Sequence, residues 1–356
     1  MKVCIIGSGL ISFTLAKILI NRGIYVDIFS KNNKIKIDKA RTLSISKSNI
    51  EFFNKEILNI EKFLWKISQI EIYSDNSKND EILNFKKNSK YYFGMIKNID
   101  LINFLISSLD KSKLVNFKRN LINYNLIKKN YKLIINCEFN NLFSKKFFFR
   151  KNEKDYNSHA YTSIIDHKKI KNDIARQIFT KDGPLAFLPI SEKNTSIVYS
   201  ARGNKKIDLR NIIKKYNPKY SILKINKISF FKLKSFSLRN YYHDNVLAFG
   251  DLLHKLHPLA GQGFNMSLRD IKVLVQLIKN KIDYGLDIDS SICIDFEKKI
   301  KHTNYLFSSG IDFIYEFFNF ESKMKNKIFT KSLKILGKNK NVNKFFTKFA
   351  DKGISI

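Results

Sequence analysis

The most informative stretch of this chain runs from residue 246 to residue 281 and begins VLAFGDLLHKLHPLAGQGFNMSLRD. Four apolar residues lead directly into Gly250 and Asp251, which predicts a buried parallel strand with a carboxylate at its carboxyl end. From Leu268 onward, apolar residues recur at helical spacing, which predicts a core-facing helix. Ligands of open α/β sheets bind beyond the carboxyl ends of the strands, so the loop between strand and helix is a candidate ligand site.

The residues of this loop suit a flat ligand that carries hydroxyl groups. Asp251 can accept hydrogen bonds from sugar or ribitol hydroxyls. Gly261 and Gly263 have no Cβ, so their backbone can lie against a flat ring. The predicted helix N-terminus near Asn265 and Met266 offers unpaired N–H groups and partial positive charge, which favour a negatively charged ring edge. A glycine-bearing loop alone also fits an ordinary strand–loop–helix connection.

A second glycine-rich turn opens the chain, where the sequence reads MKVCIIGSGLISFTLAKILI. An apolar strand, the turn GSGLIS, a helix and a second strand ending at Ser30 together predict a βαβ unit. Gly7 and Gly9 allow the helix N-terminus, at Leu10 and Ile11, to approach a pyrophosphate. Strands of this kind usually end in an acid that binds a ribose, and here the serine hydroxyl takes that place.

Length and composition are those of a globular protein. At 356 residues, 44% of them apolar, the chain can bury one large core or two modest ones. Its cysteines, Cys4, Cys137 and Cys293, are far apart and lack metal-ligand spacing, which favours a reducing compartment. The first apolar run is too short for a signal peptide, and no stretch of about twenty apolar residues is present. These features predict a cytoplasmic protein without a transmembrane segment.

The formal net charge is +34, from 65 basic and 31 acidic residues. Such a charge favours phosphates or an anionic membrane surface. The lysines are scattered through a chain rich in Lys, Asn, Ile and Phe, so mutational bias in an AT-rich genome explains the charge better than nucleic-acid binding does. The sequence contains no nucleic-acid motif, and we expect no nucleic-acid partner. No Ser-His-Asp or metal-binding constellation is evident either.

The pattern G-D-x-x-H-x-x-x-P-x-x-G-Q-G-x-N-x-x-x-x-D, from Gly250 to Asp270, closely resembles the second flavin motif of FAD-dependent aromatic-ring hydroxylases. The form HPLAGQGFN, at residues 257–265, is most similar to the branch that hydroxylates the ubiquinone ring during biosynthesis. The resemblance implies an α/β fold, with a Rossmann-like FAD/NAD(P)-binding domain of the glutathione-reductase-like type. An inserted mixed β-sheet forms the substrate domain, and a helical tail ends the chain.

The resemblance also implies a domain division and a set of site residues. The expected division is an FAD-binding domain at 1–67, 93–152 and 235–300, a substrate-binding sheet at 68–92 and 153–234, and a helical C-terminal region at 301–356. His257, Pro258 and Gly261 are implied to position flavin and substrate, and no protein nucleophile is expected because the flavin does the chemistry. The implied cofactor-binding residues are Gly7, Gly9, Leu10, Ile11, Ser30, Arg41, Asp251, Pro258, Gly261, Gln262, Gly263, Phe264 and Asn265.

The implied activity is monooxygenation of the aromatic ring of a prenylated ubiquinone precursor, through a C4a-hydroperoxyflavin. FAD is the implied cofactor, NAD(P)H the implied reductant, and O₂ and a lipophilic aromatic molecule the implied substrates. Other ubiquinone-biosynthesis proteins are implied partners. The family's Ala-Asp-Gly motif is replaced here by Cys137, Glu138 and Phe139. Two alternatives therefore stay open: another FAD-dependent oxidoreductase of the same fold, or a degenerate non-catalytic scaffold protein of the ubiquinone-biosynthesis assembly.

The last part of the chain, from residue 302, is predicted to be helical and basic. Apolar residues alternate there with lysines, namely Leu333, Leu336, Phe345, Phe346 and Phe349 with Lys331, Lys334, Lys338, Lys344 and Lys348. A helix packed on its own domain and a foot on an anionic membrane surface both fit this pattern. A prenylated substrate favours the second, as peripheral contact with the inner face of the inner membrane.

Overall fold

The chain folds into three β-sheets flanked by α-helices. The computed structural model describes residues 1–30, 40–75, 81–86, 91–119, 124–203, 207–217, 219–258, 261–324 and 347–353. The helices are α1 (Leu10–Ile20), α2 (Lys47–Phe52), α3 (Asn98–Leu109), α4 (Tyr124–Asn130), α5 (Leu142–Phe147), α6 (Leu209–Tyr216), α7 (Gln262–Asp283) and α8 (Ser291–Met324). The strands are β1 (Lys2–Ile6), β2 (Tyr25–Ser30), β3 (Thr42–Ser46), β4 (Trp65–Ile67), β5 (Gln69–Ser74), β6 (Glu81–Lys86), β7 (Phe93–Lys97), β8 (Val115–Arg119), β9 (Ile134–Asn136), β10 (Lys151–His167), β11 (Ile174–Thr180), β12 (Gly183–Pro189), β13 (Asn194–Arg202), β14 (Ile222–Ile225), β15 (Ser229–Leu238), β16 (Tyr242–His243), β17 (Val246–Ala248) and β18 (His254–Lys255).

The first sheet is the predicted Rossmann-like sheet, with strand order β16-β17-β9-β1-β2-β8. All neighbours pair in parallel except β16, which joins the edge as an antiparallel strand. Its central strands are continuous apolar runs because helices cover both faces of a parallel sheet. The carboxyl ends of β1, β9 and β17 therefore meet at one edge. This edge carries both glycine motifs.

The second sheet is large and mixed, as predicted for the substrate domain. Its order is β18-β15-β10-β13-β12-β11-β5-β6, with β14 paired to β10 outside this path. Only β5 and β11 pair in parallel. One face packs under α6, where Phe187, Ile197 and Tyr199 meet Leu209 and Ile213 in a separate core cluster. The other face is turned toward the FAD-binding domain.

A small third sheet, β3-β7-β4, connects the two larger ones. Thr42 at the start of β3 donates a hydrogen bond from Oγ1 to Ser196 Oγ of β13, at 2.9 Å. Trp65 of β4 donates from Nε1 to the carbonyl of Asn172, at 2.5 Å. The mixed sheet is therefore held directly beside the loop edge of the first sheet.

The domain boundary expected at residues 300/301 lies inside α8. This helix runs without interruption from Ser291 to Met324. The side chains of its first half, including Phe296 and Ile300, belong to the core of the FAD-binding domain. Those of its second half, including Phe307 and Ile311, pack in the cluster beneath the mixed sheet. The packing partner of α8 therefore changes between Ile300 and Phe307, close to the expected boundary, while the helix itself continues without a break.

The described part of the tail packs on the protein itself. Residues 347–352 are helical, and the ring of Phe349 lies 4.8 Å from that of Phe307, centre to centre. Asp351 Oδ1 accepts a hydrogen bond from the backbone N–H of Ser48 at the start of α2, at 2.9 Å. Phe349, expected on a membrane-facing surface, thus has a structural contact in the protein. Leu333, Leu336, Phe345, Phe346, Lys331, Lys334, Lys338 and Lys344 lie outside the described residues.

No helix in the described ranges is long and apolar enough to cross a membrane.

Candidate functional site

The two glycine motifs meet at the carboxyl edge of the first sheet. The N–H of Gly7 donates to the carbonyl of Phe29 at 2.8 Å, which fixes the turn after β1 against β2. A Cβ on Gly250 would lie 3.0 Å from Cγ2 of Ile11, in the first turn of α1. Gly250 also has a φ of +62°, a conformation that glycine adopts without strain. The turn after β1 and the loop after β17 therefore form one site.

The N-terminus of α1 is a ready site for a pyrophosphate. Gly9 precedes the helix in an extended conformation, and no side chain caps it. A Cβ on Gly9 would meet no heavy atom within 4 Å, so the space in front of the turn is open. The first N–H groups of a helix, here those of Leu10 and Ile11, have no intrahelical acceptor and carry partial positive charge. An anion placed there supplies the acceptors that they lack.

Asp251 lies beside this turn with an exposed side chain. It is the middle residue of a 3₁₀ turn, Gly250–Leu252, which follows β17. Burial, and to a smaller extent the nearby Asp251 carboxylate, raises the pKa of the Cys137 thiol to about 12, against a smaller opposing effect of the Ser12 hydroxyl. The carboxylate is therefore close to the end of β9 and free to accept hydrogen bonds from a ligand's hydroxyl groups.

The N-terminus of α7 closes the other side of the site. Gly261 caps this helix in the left-handed conformation, with a φ of +62°. A Cβ there would lie 2.3 Å from Ser44 Oγ, so the loop approaches β3 at a distance that only glycine allows. A Cβ on Gly263 would meet no heavy atom within 4 Å. The backbone at Gly263 therefore has room for a ring against it.

Gln262 carries a buried acceptor that no described residue satisfies. Its side chain is almost fully buried, and Oε1 has no hydrogen-bond partner. A buried polar atom without a partner costs about 1–3 kcal/mol, so such atoms in native structures usually meet a ligand or an ordered water. The position of Gln262 next to Gly263 fits a ligand group that donates a hydrogen bond. Together with the open turn at Gly9, these residues fit FAD.

Asn265 holds the loop rather than presenting its side chain to a ligand. Its Nδ2 donates to the carbonyls of Ser44 and Gly261, at 2.9 and 3.3 Å. Its Oδ1 accepts from the N–H of Ser46 and from Asn49 Nδ2, at 2.9 and 3.0 Å. An asparagine amide offers two donors and two acceptors, so all four are used.

Phe264 likewise belongs to the core of the FAD-binding domain. Pro258 is half-buried, and its carbonyl accepts from the N–H of Gly261 at 3.2 Å. The side chains of Phe264 and Asn265 are therefore engaged within the protein.

A buried polar network supports the loop from beneath. His254 Nε2 contacts Asp270 Oδ2 at 2.5 Å, and Asn304 Nδ2 donates to Asp270 Oδ1 at 3.0 Å. The network links the residues after Asp251 to α7 and α8. It explains why the histidine and the second aspartate of the motif stand sixteen residues apart, since each faces the other in the core.

His257 lies in an aromatic cage beneath the mixed sheet. Its ring centre is 4.7 Å from that of Tyr156 and 4.3 Å from that of Tyr315. Burial lowers the pKa of His257 to about 3, and the positive charges of Lys154 and Arg202 lower it further, against an opposing effect of Glu316. The imidazole is therefore neutral at neutral pH. This state fits the expected positioning role.

Two predicted contacts lie at the margin of the site. Ser30 ends β2, and in the register of the sheet it stands opposite Arg119 of β8. Arg41 has an exposed side chain, and its carbonyl accepts from the N–H of Asn98 at 3.0 Å. It directly precedes β3, the strand that contacts Gly261.

Sequence reasoning missed the residues that the mixed sheet contributes. Thr162, Ala186 and Val198 are in register on β10, β12 and β13. Strand alternation places Val198 on the same face as Ser196, which bonds to β3 of the FAD-binding domain. These are small or medium side chains, whereas Phe187 and Tyr199 occupy the opposite face. The alternation in the sequence is visible, but it does not tell which face turns toward the FAD-binding domain.

Comparison with known proteins agrees with this geometry. The family model of an FAD binding domain matches residues 204–283, which contain β17, the glycine loop and α7. The 3-demethoxyubiquinol 3-hydroxylase of Escherichia coli is 28% identical over 157 residues, 41% of this chain and 40% of that protein. A mitochondrial ubiquinone biosynthesis monooxygenase of Schizosaccharomyces pombe is 20% identical over 250 residues, 56% of this chain and 52% of that protein. The chain thus carries an FAD binding domain and is similar in sequence to hydroxylases of ubiquinone biosynthesis. Its matches span about half the length of these curated relatives.

Solved structures show the same fold along the whole chain. The p-nitrophenol 4-monooxygenase of Pseudomonas putida superposes with a TM-score of 0.78 at 11% identity, covering 99% of this chain and 98% of that one. HpxO of Klebsiella pneumoniae, complexed with FAD and uric acid, gives 0.75 at 11% identity, covering 99% and 97%. This likeness confirms the predicted fold class. The matched FAD binding domain confirms the prediction that the cofactor is FAD.

Proposed function

We propose that this protein is a flavin-dependent monooxygenase that hydroxylates the aromatic ring of a prenylated ubiquinone precursor. One observation carries the proposal. The open α1 N-terminus, the exposed Asp251 and the open backbone at Gly263 lie in one site, and Ser196 of the mixed sheet is hydrogen-bonded to β3 next to it. The names of the curated relatives in Escherichia coli and Schizosaccharomyces pombe support the ubiquinone pathway as the source of the substrate.

Each part of the site has a task in binding the cofactor. The N–H groups at the start of α1 hold the FAD pyrophosphate, with Arg41 as a further phosphate contact. Asp251 accepts hydrogen bonds from the ribitol chain. The α7 N-terminus, with Gly261 and Gly263, lies along the flavin ring and stabilises negative charge on it. When bound, reduced flavin would activate O₂, and the protein supplies binding and orientation.

The mixed sheet holds the substrate against the flavin and excludes water. The side chains of Thr162, Ala186 and Val198 leave room for an aromatic ring beneath the sheet. His257 stays neutral in its cage and helps fix the loop in place. Holding the two reacting rings at a fixed distance is the main contribution that protein groups make to such a reaction.

NAD(P)H is the proposed reductant. The second candidate is a scaffold protein without activity, and the region after β9 favours it. Cys137, Glu138 and Phe139 stand where the family has Ala-Asp-Gly, and the Phe139 side chain is exposed beside this edge. The family links this region to flavin binding and to use of the nicotinamide donor.

The absorption spectrum of the purified protein separates these candidates. We expect the flavin spectrum after purification or after refolding with FAD, followed by O₂-dependent oxidation of NAD(P)H when a ubiquinone precursor is added. Quinone analysis of a deletion strain then identifies the ring position. A protein that binds FAD but oxidises another substrate is a different oxidoreductase of this fold. A protein that stays colourless even after refolding with FAD is the scaffold.

A prenylated substrate stays in the bilayer, because each buried CH₂ contributes about 0.8 kcal/mol. We therefore propose peripheral attachment to the inner face of the inner membrane. The formal charge of +34 supports an anionic surface as the partner. Co-sedimentation with anionic and neutral vesicles tests it, and loss of binding at high salt is the expected result.

A further inference from the structure

A cleft of about 710 Å³ lies apart from the candidate flavin site, between α8 and the strands that join the two domains. None of the residues assigned to FAD lines it. Its walls include the basic side chains of Arg239, Lys298 and Lys301 and the rings of Tyr242 and Tyr305. Neither the FAD site nor the reaction proposed above gives this cleft a role.

The cleft has uncompensated positive charge. Its one acidic wall residue, Glu297, is already engaged, because Oε1 pairs with Lys301 and Oε2 accepts from the N–H of Tyr241 at 3.0 Å. Arg239 donates from Nε to the neutral Asn152 Oδ1 at 3.0 Å. Neither Arg239 nor Lys298 pairs with a carboxylate of the described residues. Two cations thus remain for an anion, and a guanidinium suits a phosphate, which it can bind through two parallel N–H donors.

The same face of α8 continues from the cleft as a row of exposed apolar side chains. This row begins at Lys298 in the cleft and continues through Tyr305, Phe313 and Phe320. The spacings are seven, eight and seven residues, which places the four side chains along one face of the helix. Tyr305 is 57% exposed, Phe313 69% and Phe320 53%. Exposed aromatic rings beside lysines are typical of helices that lie in the interface of an anionic bilayer.

We propose that this face of α8 docks on an anionic membrane, with the cleft binding a phospholipid phosphate and Phe313 and Phe320 entering the head-group region. The choice of a lipid rests on the membrane attachment proposed above, whereas the phosphate chemistry follows from the cleft itself. The contact lies on a rigid helix that packs in both domains. This contact is separate from the membrane contact predicted for the basic residues near the end of the chain.

Vesicle co-sedimentation of the full-length, FAD-loaded protein tests the proposal. The probes are phosphatidylcholine vesicles with and without phosphatidylglycerol. Replacing Arg239 and Lys298 together by glutamine is expected to weaken binding to the anionic vesicles roughly thirty-fold, from the usual effect of two basic residues near such a surface. The matched control replaces Lys55 and Lys171, whose side chains are 83% and 88% exposed, and is expected to retain near-normal binding. Phe313→Ser is expected to weaken binding further and to leave the flavin spectrum unchanged.

Three results would overturn the inference. Equal loss in the control pair means that only net charge matters. Full binding by the cleft variant, with loss in a Lys348→Glu variant, places the contact on the tail while membrane attachment itself stands. If soluble glycerol 3-phosphate binds in the cleft while the protein binds no vesicles, the cleft is a site for a soluble phosphate ester. The flavin spectrum and the hydroxylation assay are measured in parallel, so a failure of the proposed reaction is seen separately.

Discussion

Asp251 and Asp27 show how the environment of a carboxylate in or beside the first sheet determines its partners. Asp251 follows a buried strand and remains exposed at the edge of the sheet. Asp27 sits inside β2 and is fully buried. Burial opposes ionisation of Asp27, but hydrogen bonds from Tyr131, Lys2 and Lys118 outweigh it and lower its pKa. One carboxylate is therefore satisfied by the protein, and the other is left for a ligand.

Asp251→Ala tests this assignment. We expect FAD affinity to fall by about 1.5–3 kcal/mol, roughly ten- to hundred-fold, because a charge-assisted hydrogen bond to the ribitol is lost. Flavin fluorescence titration measures it. The control is Asp287→Ala, which removes an exposed carboxylate paired with Lys132 and is expected to leave the affinity unchanged. Equal affinities of wild type and the Asp251 variant would place the ribitol elsewhere.

His257 makes stability depend on pH. Its pKa is about 3 in the folded protein and near 6.5 in an unfolded chain. Between these values the unfolded state binds more protons, so stability present above pH 6.5 is lost as the pH falls towards 3. The loss is at most about 1.4 kcal/mol per pH unit. Carboxylates with lowered pKa values act in the same direction, so the measurement needs a comparison of variants.

Urea unfolding between pH 7 and pH 4 measures this contribution. We expect His257→Gln to be less stable at pH 7 and to have a flatter slope of the free energy of unfolding against pH. His302→Gln, at an exposed position of α8, serves as the control and keeps the wild-type slope. If both variants keep that slope, His257 is not buried in the neutral form.

The first turns of α1 and α7 form much of the candidate site, and the glycines in and before these turns determine which ligand groups fit there. A methyl group at Gly261 would collide with Ser44 Oγ and force a left-handed residue to carry a side chain. Gly261→Ala is therefore expected to lower the free energy of unfolding by about 1–3 kcal/mol. Gly263 has open space and lies in the first turn of α7, so a side chain there does not disturb the apoprotein.

Gly263→Val separates binding from folding. We expect a folded protein by circular dichroism that no longer binds FAD, because the side chain occupies the space of the ring. Gly263→Ala is the milder variant, with unchanged or slightly higher stability, since alanine favours helices over glycine by up to about 1 kcal/mol. Full flavin occupancy in the valine variant contradicts the placement of the ring beside this loop.

The elements that the sequence predicted are those with local signals. The strand and helix around residues 246–281 follow from apolar spacing and from glycine at the turns. The aromatic cage around His257 has no local signal, because its rings, Tyr156 and Tyr315, are far apart in sequence. Tyr156 is held there by a hydrogen bond to Asp312, which is similarly distant in sequence. The contact between Ser44 and Gly261 has no local signal either, because 217 positions of sequence separate the two residues. The backbone N–H of Tyr131 still donates to the carbonyl of Ile127 in α4, so the apolar run that follows forms a strand only from Ile134.

Helix α8 packs in both domains and connects them without a break. Its first half fills the core of the FAD-binding domain, and its second half packs under the mixed sheet, where Phe318 stacks on Phe179 at 3.7 Å. Asn304, between the halves, also holds Asp270 beneath the flavin loop. A continuous helix therefore joins both domains to the loop, and we expect a change in the packing of either domain to reach the loop through it.

Thr303→Pro tests this coupling. Proline inside a helix removes a hydrogen bond and clashes with the preceding turn, at a cost of about 3 kcal/mol or more. We expect wild type to unfold in one calorimetric transition and the variant in two, with flavin release preceding the change in fluorescence of Trp65, the sole tryptophan. Trp65 reports on the mixed sheet because it bonds to Asn172. Thr303→Ala keeps the helix and is expected to unfold like wild type. A single transition in the proline variant, with both probes moving together, shows that the sheets are coupled by their direct contacts through β3 and β4 and not by α8.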